Sequence, residues 1–268
     1  MSDPFMDVDS ASPEMIEIIA AALETRSTDP SMVPVIDAYL NALAVPDGGL
    51  IIEIGSGTGG ITRRIADHFP QTSVVGLEPS AALTQKAVEL GKDRPNLSFS
   101  VGDGAKLSLK DSCADVSILH TVLSHVPDPA QLIAEAARIL RPGGTLVICD
   151  ADFSKAAMGN VRGDPLGSCA GAFVSGSVTD GWLTGKLRPL VDRMGLSVTH
   201  FSVLNRVITS GMGGMVWVRM SCARMVAEGI IGQPLADALE AEYLRRSEAG
   251  ILYCFLPFAT LIATKPAA

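Results

Sequence analysis

The spacing of apolar residues changes along the chain and divides it into two parts. Up to about residue 45, apolar residues recur three and four positions apart, which is the period of an amphipathic helix. This spacing predicts one helix from Ser12 to about Leu23, opened by an N-cap serine and a proline, and a second from about Ser31 to Leu43. We therefore expect the N-terminal part to be helical.

From residue 50 onward, short runs rich in β-branched residues alternate with helical patterns. The predicted strands are Leu50–Ile54, Ser73–Leu77, Leu97–Val101, Val116–Leu119 and Thr145–Cys149. The predicted helices between them are about Gly60–His68, Ala81–Leu90 and Pro129–Leu140. Strands this continuously apolar are buried on both faces, and the βαβ alternation implies a parallel sheet with right-handed crossovers.

The pattern loosens after Asp152. Residues 154–181 are rich in Gly, Ser and Ala and are predicted to form a long loop over the edge of the sheet. The elements predicted after it are a helix about Asp180–Met194, a strand about Ser197–Val203, two helices Met212–Glu228 and Pro234–Glu248, and a last strand Tyr253–Ala263. This order predicts a helical insert, about 212–248, before the last strand.

Composition and charge exclude several classes of protein. Apolar residues make up 47% of the 268 residues and charged residues 19%, which excludes a disordered chain. No apolar run reaches the ~18 residues of a membrane span, and the acidic N-terminus is unlike a secretory signal or transit peptide. The net charge of −8 argues against a nucleic-acid partner. We expect a soluble, cytoplasmic protein without a membrane span.

Metal-binding and disulfide patterns are missing from the sequence. The five cysteines contain no C-x-x-C pair, and the four histidines have no H-x-x-x-H spacing. We therefore expect no metal site, and most of the cysteines to be buried thiols in a reducing compartment.

A glycine-rich loop follows the first predicted strand, with the sequence Glu53-Ile54-Gly55-Ser56-Gly57-Thr58-Gly59-Gly60. Glycines at such a turn allow positive φ and let the backbone approach a ligand, with the N–H groups of the following helix pointing outward. Taken alone the loop is ambiguous, because it also satisfies the dinucleotide pattern G-x-G-x-x-G.

Three acidic residues follow the ends of three successive predicted strands. Glu53 lies in the end of the first strand, Glu78 follows the second and Asp103 follows the third. Glu78 suits the hydroxyls of a ribose, and Asp103 suits an adenine amino group. Three acids beside a glycine loop fit a ligand with a ribose, an adenine and a positively charged tail. S-adenosylmethionine has these parts and no pyrophosphate.

These motifs resemble those of the class I S-adenosylmethionine-dependent methyltransferases. Residues 53–59 match the family's E/D-x-G-x-G-x-G motif, and Leu140-Arg141-Pro142-Gly143-Gly144 is similar to the turn before its fifth strand. The resemblance covers about residues 35–150 and extends more weakly to the C-terminus. The stretch from Leu123 to Pro129 is similar to one in the quinone-biosynthesis and small-molecule branch of the family.

The resemblance implies a Rossmann-like α/β fold. We expect a seven-stranded, mostly parallel sheet with helices on both faces and an antiparallel last strand. Residues 1–45 would form a helical cap, and residues 46–268 the S-adenosylmethionine-binding domain with its insert. The residues expected to bind the cofactor are Arg26, Glu53, Gly55, Ser56, Gly57, Glu78, Pro79, Asp103, Gly104, Ala105, His120 and Thr121.

The expected reaction is methyl transfer to O, N or C of a small, apolar or planar acceptor, with a homodimer left open. A general base is needed only if the acceptor must lose a proton. His120 and His125 are the candidate catalytic bases, and a structural role stays open for both. The residues expected to contact the acceptor are Asp152, Phe153, Met212, Met215 and Trp217. Ordinary core packing is the alternative for the methionines and the tryptophan, and a loop turn with one buried ring is the alternative for Asp152 and Phe153.

Two other functions compete with this interpretation. The overlapping glycine pattern leaves open an NAD-dependent oxidoreductase, but none of the three tyrosines forms the Tyr-x-x-x-Lys spacing that one such enzyme class would use. The second alternative is a protein that binds S-adenosylmethionine without transferring its methyl group.

Overall fold

A computed structural model describes residues 3–267 of the chain. Its first long helices are α1 (Pro13–Thr28) and α2 (Val33–Leu40). The Oγ of Ser12 accepts a hydrogen bond from the Met15 N–H, which caps α1 as the sequence predicts. The helix continues one turn beyond the expected end at Leu23 and so carries Arg26 over the sheet.

One mixed sheet forms the centre of the molecule. Its strands are β1 (Leu50–Ile54), β2 (Ser73–Glu78), β3 (Leu97–Val101), β4 (Ala114–His120), β5 (Leu140–Ala151), β6 (Ala157–Met158), β7 (Ser197–Ile208) and β8 (Cys254–Thr264). The strand order is β3-β2-β1-β4-β5-β8, and the short β6 pairs with the start of β8. Strand β7 pairs with β8 along the edge opposite to β5 and β6. Strands β1 to β5 are parallel, whereas β8 is antiparallel to β5 and β7, as expected for the last strand.

The helices that follow α2 are α3 (Gly60–His68), α4 (Ala81–Gly91), α5 (Pro129–Ile139), α6 (Pro165–Ser177), α7 (Leu187–Arg193), α8 (Met215–Ala227) and α9 (Gln233–Glu248). Alternate residues of the central strands feed two separate hydrophobic cores. Ile51 packs with α2, α3, α6 and α8 on one face, and Ile52 packs with α5 and α7 on the other. Helices thus cover both faces, which buries the sheet as its apolar strands require.

The prediction of a long loop over residues 154–181 is wrong. This segment contains β6 and α6, so the sheet has eight strands rather than seven. Asp164 caps α6 by accepting from the Leu166 N–H, and Pro165 occupies the first turn. The helix buries Cys169 and Phe173 against α8. Its three glycines and three serines have low helical propensity, and tertiary packing supplies the stability instead.

The helix expected over Asp180–Met194 is shorter than predicted. A 3₁₀ turn, Leu183–Lys186, precedes α7, so the regular helix begins only at Leu187. In the described part of the chain, no helix is long and apolar enough to cross a bilayer.

Candidate functional site

A cavity of about 410 Å³ lies at the carboxyl ends of β1, β2 and β4. This is where open α/β sheets bind their ligands, since the strand order reverses between β1 and β4. The predicted base His125 lines this cavity, and so do all of the predicted cofactor-binding residues. These are Arg26, Glu53, Gly55, Ser56, Gly57, Glu78, Pro79, Asp103, Gly104, Ala105, His120 and Thr121. Residues far apart in the sequence are therefore brought together.

The glycine loop needs its glycines. Gly55 has φ +78°, and a Cβ at this position would lie 2.5 Å from Val122 Cγ2. Gly57 has φ +55°, and a Cβ there would lie 2.9 Å from Leu23 Cδ1. Any side chain at these positions would be strained by the positive φ and would displace the neighbouring Val122 or Leu23 side chain, so the loop favours glycine at both.

Glu78 braces the glycine loop from the end of β2. Its Oε2 accepts from the Gly57 N–H at 2.9 Å, and its Oε1 accepts from the Ser80 N–H at 3.0 Å. Burial raises the pKa of this carboxyl, although the two backbone N–H groups oppose the shift. Each carboxylate oxygen keeps lone-pair capacity for a hydroxyl in the cavity.

Asp103 lies on the loop after β3. Its Oδ1 accepts from the Ala105 N–H at 2.9 Å, which shapes the turn that presents Gly104 and Ala105 to the cavity. Pro79 and Asp103 lie at the ends of neighbouring strands, so this end of the cavity combines a carboxylate with backbone groups.

Glu53 and Arg26 form an unusual electrostatic pair on the cavity floor. Burial raises the pKa of Glu53 to about 8, while a hydrogen bond from Thr62 and the charge of Arg26 oppose the rise. Burial lowers the pKa of Arg26 to about 10. At neutral pH, Glu53 is therefore mostly protonated, while Arg26 remains charged.

No carboxylate within residues 3–267 forms a salt bridge with Arg26. Helix α1 is fastened above the loop by Glu24, which accepts from the hydroxyl of Thr58 and from Arg63, each at 2.6 Å. This fixes the position of Arg26 two residues later. A buried cation without a counter-ion costs folding free energy, so Arg26 is a candidate residue for binding an anion at this cavity.

Glu53 predicts a pH dependence of stability. Its folded pKa of about 8 lies above the ordinary value of 4.5, so the folded state holds the proton more tightly than the unfolded chain. This contribution to the free energy of unfolding is complete below pH 4.5 and is lost as pH rises to about 8, by up to about 1.4 kcal/mol per pH unit.

Urea unfolding at several pH values checks this prediction. Glu53→Gln keeps an oxygen for the Thr62 hydroxyl and should flatten the slope between pH 5 and 8 by about one proton. Equal slopes for the two proteins would mean that Glu53 ionises normally.

His120 ends β4 and faces the cavity with one ring nitrogen. Its Nδ1 lies 3.2 Å from the hydroxyl of Tyr39, and its Nε2 is buried without a partner among the described residues. Burial, with a smaller contribution from the charge of Arg26, lowers the pKa of His120 to about 3. Thr121 follows with φ +53°, an uncommon conformation for a β-branched residue, and its hydroxyl also lacks a partner in the described chain.

The N-terminal segment, residues 3–10, covers the cavity, which the sequence did not predict. Phe5, Met6 and Val8 line it. Asp3 lies 2.8 Å from Nδ1 of His125 and accepts from Thr179 at 3.0 Å, which fastens one end of the segment. Asp9 fastens the other end by accepting from Ser80 and Ala81 at the start of α4. The only local sequence feature that could have indicated this role is the run of apolar residues between Asp3 and Asp9.

The five residues expected to contact the acceptor do not line this cavity. Phe153, Met215 and Trp217 are buried in the core, where Trp217 stacks on Phe173 at 5.8 Å between ring centroids. Met212 and Met215 border a second cavity of about 260 Å³ on the other side of α1, and Asp152 accepts from Ser154 at the end of β5. Apolar residues at helical spacing can face either the hydrophobic core or a ligand, and the apolar spacing around Met215 and Trp217 belongs to a core-facing helix.

The buried polar atoms of the cavity fit a polar ligand. Arg26 Nε, Ser56 Oγ, His120 Nε2 and Thr121 Oγ1 are all buried without a hydrogen-bond partner in the part of the chain that the structure describes. Native proteins rarely leave such atoms unsatisfied, so a bound molecule is expected to supply the partners. Across residues 3–267, no cluster of three or more His, Cys, Asp or Glu side chains could hold a metal ion.

Comparison with known families assigns the centre of the chain. The family described as "Methyltransferase domain" matches residues 52–148, which run from β1 to β5. The chain contains a class I methyltransferase domain. The matched residues include the glycine loop, both strand-end acids that follow it, and His120.

Curated relatives carry the same domain. A trans-aconitate 2-methyltransferase of Methylobacterium nodulans is 27% identical over 78% of this chain and 80% of its own length. A trans-aconitate 2-methyltransferase of Deinococcus radiodurans is 38% identical over 37% of this chain and 36% of its own. The first relatives are matched over only 33–41% of their length, so they support the methyltransferase domain rather than a whole protein.

Solved structures show the same fold over nearly the whole chain. Phosphoethanolamine N-methyltransferase 2 of Haemonchus contortus, in complex with S-adenosyl-L-methionine, matches 98% of this chain and 59% of its own with a TM-score of 0.62. Its sequence identity is 18%, so the likeness concerns the fold.

Proposed function

We propose that this chain transfers a methyl group from S-adenosylmethionine to a small organic acceptor. The observation that carries the proposal is the cavity at the switch point of the methyltransferase domain. It combines acidic residues at the strand ends, a loop whose glycines have positive φ, and a buried arginine without a salt-bridge partner among residues 3–267.

In this proposal, each part of the cofactor has a residue of the cavity to bind it. Glu78 would accept from the ribose hydroxyls, and the loop from Asp103 to Ala105 would contact the adenine. Arg26 would bind the carboxylate of the methionine moiety, and Glu53, ionised by a nearby ammonium, would bind its amino group. His120 and Thr121 would lie beside the sulfur, which places the reacting carbon at the end of β4.

When bound, S-adenosylmethionine supplies a methyl carbon that the sulfonium has already activated for displacement. The protein's contribution is alignment and exclusion of water, worth up to roughly 7–11 kcal/mol for well-oriented reactants. Residues 3–10 and α1 line one side of the cavity and shield that side from water. The proposal keeps the division into an N-terminal cap of residues 1–45 and a cofactor-binding domain of residues 46–268.

The charge of the cavity favours an acceptor with few negative charges. Arg26 is the only Lys or Arg side chain on the cavity among residues 3–267, and the proposed cofactor carboxylate uses it. Several relatives are named trans-aconitate 2-methyltransferases, and a tricarboxylate would need further cationic groups. Phe5, Met6 and Val8 favour an apolar acceptor instead.

Ligand binding separates methyltransferase from oxidoreductase. We expect S-adenosylhomocysteine to bind in calorimetry and NAD not to bind, because the Gly57 N–H of the glycine loop already donates to the Glu78 carboxylate, whose charge would repel a pyrophosphate there. At a hundredfold excess over Kd, S-adenosylhomocysteine should add about 2.7 kcal/mol to the free energy of unfolding, or roughly 5–10 °C in Tm. Binding of NAD alone would overturn the proposal. With S-adenosylmethionine, release of S-adenosylhomocysteine that depends on an added acceptor separates transfer from binding alone.

A further inference from the structure

The contact between Tyr39 and His120 joins α2 to the end of β4. Tyr39 is fully buried, and its hydroxyl lies 3.2 Å from His120 Nδ1. Within residues 3–267, this nitrogen is the only hydrogen-bond partner of the hydroxyl. The ring of His120 is 2% exposed and also faces Phe258, so neither side chain can turn to water.

This contact determines the tautomer of His120. A buried O–H must donate to an acceptor, and the only acceptor within reach of Tyr39 is an unprotonated Nδ1. The single proton of the neutral imidazole then resides on Nε2. The opposite tautomer would place an N–H on Nδ1 and leave the buried Tyr39 hydrogen without an acceptor, which is unfavourable.

The surroundings keep the ring neutral. The charged group that shifts His120 is Arg26 on α1, and it opposes a second positive charge. The other ionisable groups nearby are Glu53 on β1, which is mostly protonated at neutral pH, and the Cys149 thiol, whose pKa burial raises to about 12. In the protein without ligand, neither supplies the negative charge that an imidazolium would need, and with the cofactor bound the proposed Glu53 carboxylate is paired with the ammonium group.

We propose that Tyr39 holds His120 as the Nε2–H tautomer and that this N–H donates a hydrogen bond to the reacting oxygen of the methyl acceptor. The inference rests on the proposed function and makes it more specific. The acceptor is then an oxygen nucleophile, such as a phenol or an enol. Its oxygen is the partner that Nε2 lacks, and His120 is a hydrogen-bond donor instead of a general base.

Methyl transfer to this oxygen does not require His120 to accept a proton. A donor to the oxygen stabilises the ionised acceptor, so a larger fraction of the bound acceptor has lost its proton to water, and this ionised form reacts. A lone pair of the oxygen forms the new C–O bond, and the C–S bond breaks with its electron pair going to sulfur. Nε2 keeps its proton throughout. Tyr39 is a positioning residue because it acts only through His120.

Nitrogen NMR of the histidine rings tests the tautomer without any acceptor. In protein labelled with ¹⁵N, His120 should show a protonated Nε2 and an unprotonated Nδ1 between pH 5 and 8. The same state should persist with S-adenosylhomocysteine bound. Tyr39→Phe keeps the ring and should yield a mixture of tautomers. A protonated Nδ1, an imidazolium at pH 6, or an Nε2 signal that S-adenosylhomocysteine alone shifts to a hydrogen-bonded position would overturn the proposal.

The ionisation of 4-nitrophenol tests the oxygen site. Its neutral and ionised forms absorb at different wavelengths, so its pKa can be followed with excess protein and S-adenosylhomocysteine. We expect the native protein to lower that pKa by roughly one unit. His120→Gln retains a side-chain N–H at a similar distance and should preserve much of the shift, whereas His120→Leu should abolish it.

An unchanged ionisation of 4-nitrophenol with the native protein, or an equal shift with His120→Leu, would overturn the proposal. Failure of the proposed function is a separate result, because it appears as absent binding of S-adenosylhomocysteine in calorimetry. The tautomer can be determined in either case.

Discussion

Arg26→Met is expected to weaken the binding of S-adenosylhomocysteine by roughly 10- to 100-fold and, at the same time, to raise Tm. In the protein without ligand, the guanidinium is buried next to a mostly protonated Glu53 and has no salt-bridge partner within residues 3–267. Hydrogen bonds to charged groups contribute about 1.5–3 kcal/mol, which gives the loss of affinity. Replacing an unpaired buried charge with an apolar side chain removes a desolvation cost of about 1–3 kcal/mol.

The opposite signs make this experiment specific. Calorimetry measures the affinity and thermal unfolding measures the stability of the same two proteins. Arg26→Lys retains the charge and should bind S-adenosylhomocysteine better than Arg26→Met does. The ligand 5′-methylthioadenosine lacks the amino-acid part and should bind the native protein and Arg26→Met equally. If Arg26→Met weakened both ligands to the same extent, Arg26 would not bind the carboxylate.

Glu78→Ala is expected to weaken the binding of S-adenosylhomocysteine by about 100-fold or more. The carboxylate would hold the ribose hydroxyls, and it also accepts from the N–H groups of Gly57 and Ser80. The substitution therefore removes the ribose partner and releases the glycine loop. Each hydrogen bond to a charged group contributes about 1.5–3 kcal/mol, so the combined loss exceeds that expected from the ribose alone.

A matched variant and a matched ligand separate the two roles of Glu78. Glu78→Gln retains one oxygen and should lose about tenfold in affinity. The 2′-deoxy analogue of S-adenosylhomocysteine should bind the native protein more weakly, but should be less affected by Glu78→Gln than the parent ligand is. Calorimetry checks all four combinations. Native affinity in Glu78→Ala would show that this carboxylate holds neither the ribose nor the loop.

Local signals in the sequence were sufficient for the central elements. Strands Leu50–Ile54 and Leu97–Val101 and helix Gly60–His68 have the predicted bounds. A glycine or an apolar run marks each end, and these signals act within a few residues. The strand predicted to end at Val203 instead continues to Ile208, since its exposed residues pair along β8. That pairing is a tertiary contact and leaves no local pattern.

The part of the site that we propose for the cofactor was predictable for a related reason. A parallel sheet brings the ends of successive strands to one edge, so Glu53, Glu78 and Asp103 had to converge once the strands were assigned. The acceptor half did not follow from any such rule. The helical spacing around Met215 and Trp217 served the core, and the apolar residues that line the cavity come from residues 3–10.

The amino-acid sequence alone thus determined the α/β architecture, the glycine loop and the three acids, because periodicity and turn chemistry act over short stretches of chain. Only the tertiary structure decided that Asp3 and Asp9 fasten a cover over the cavity and that Arg26 has no counter-ion in the described chain. It also decided that Tyr39 meets a ring 81 residues away. These features depend on burial and on contacts between distant segments, whose energies no local pattern encodes.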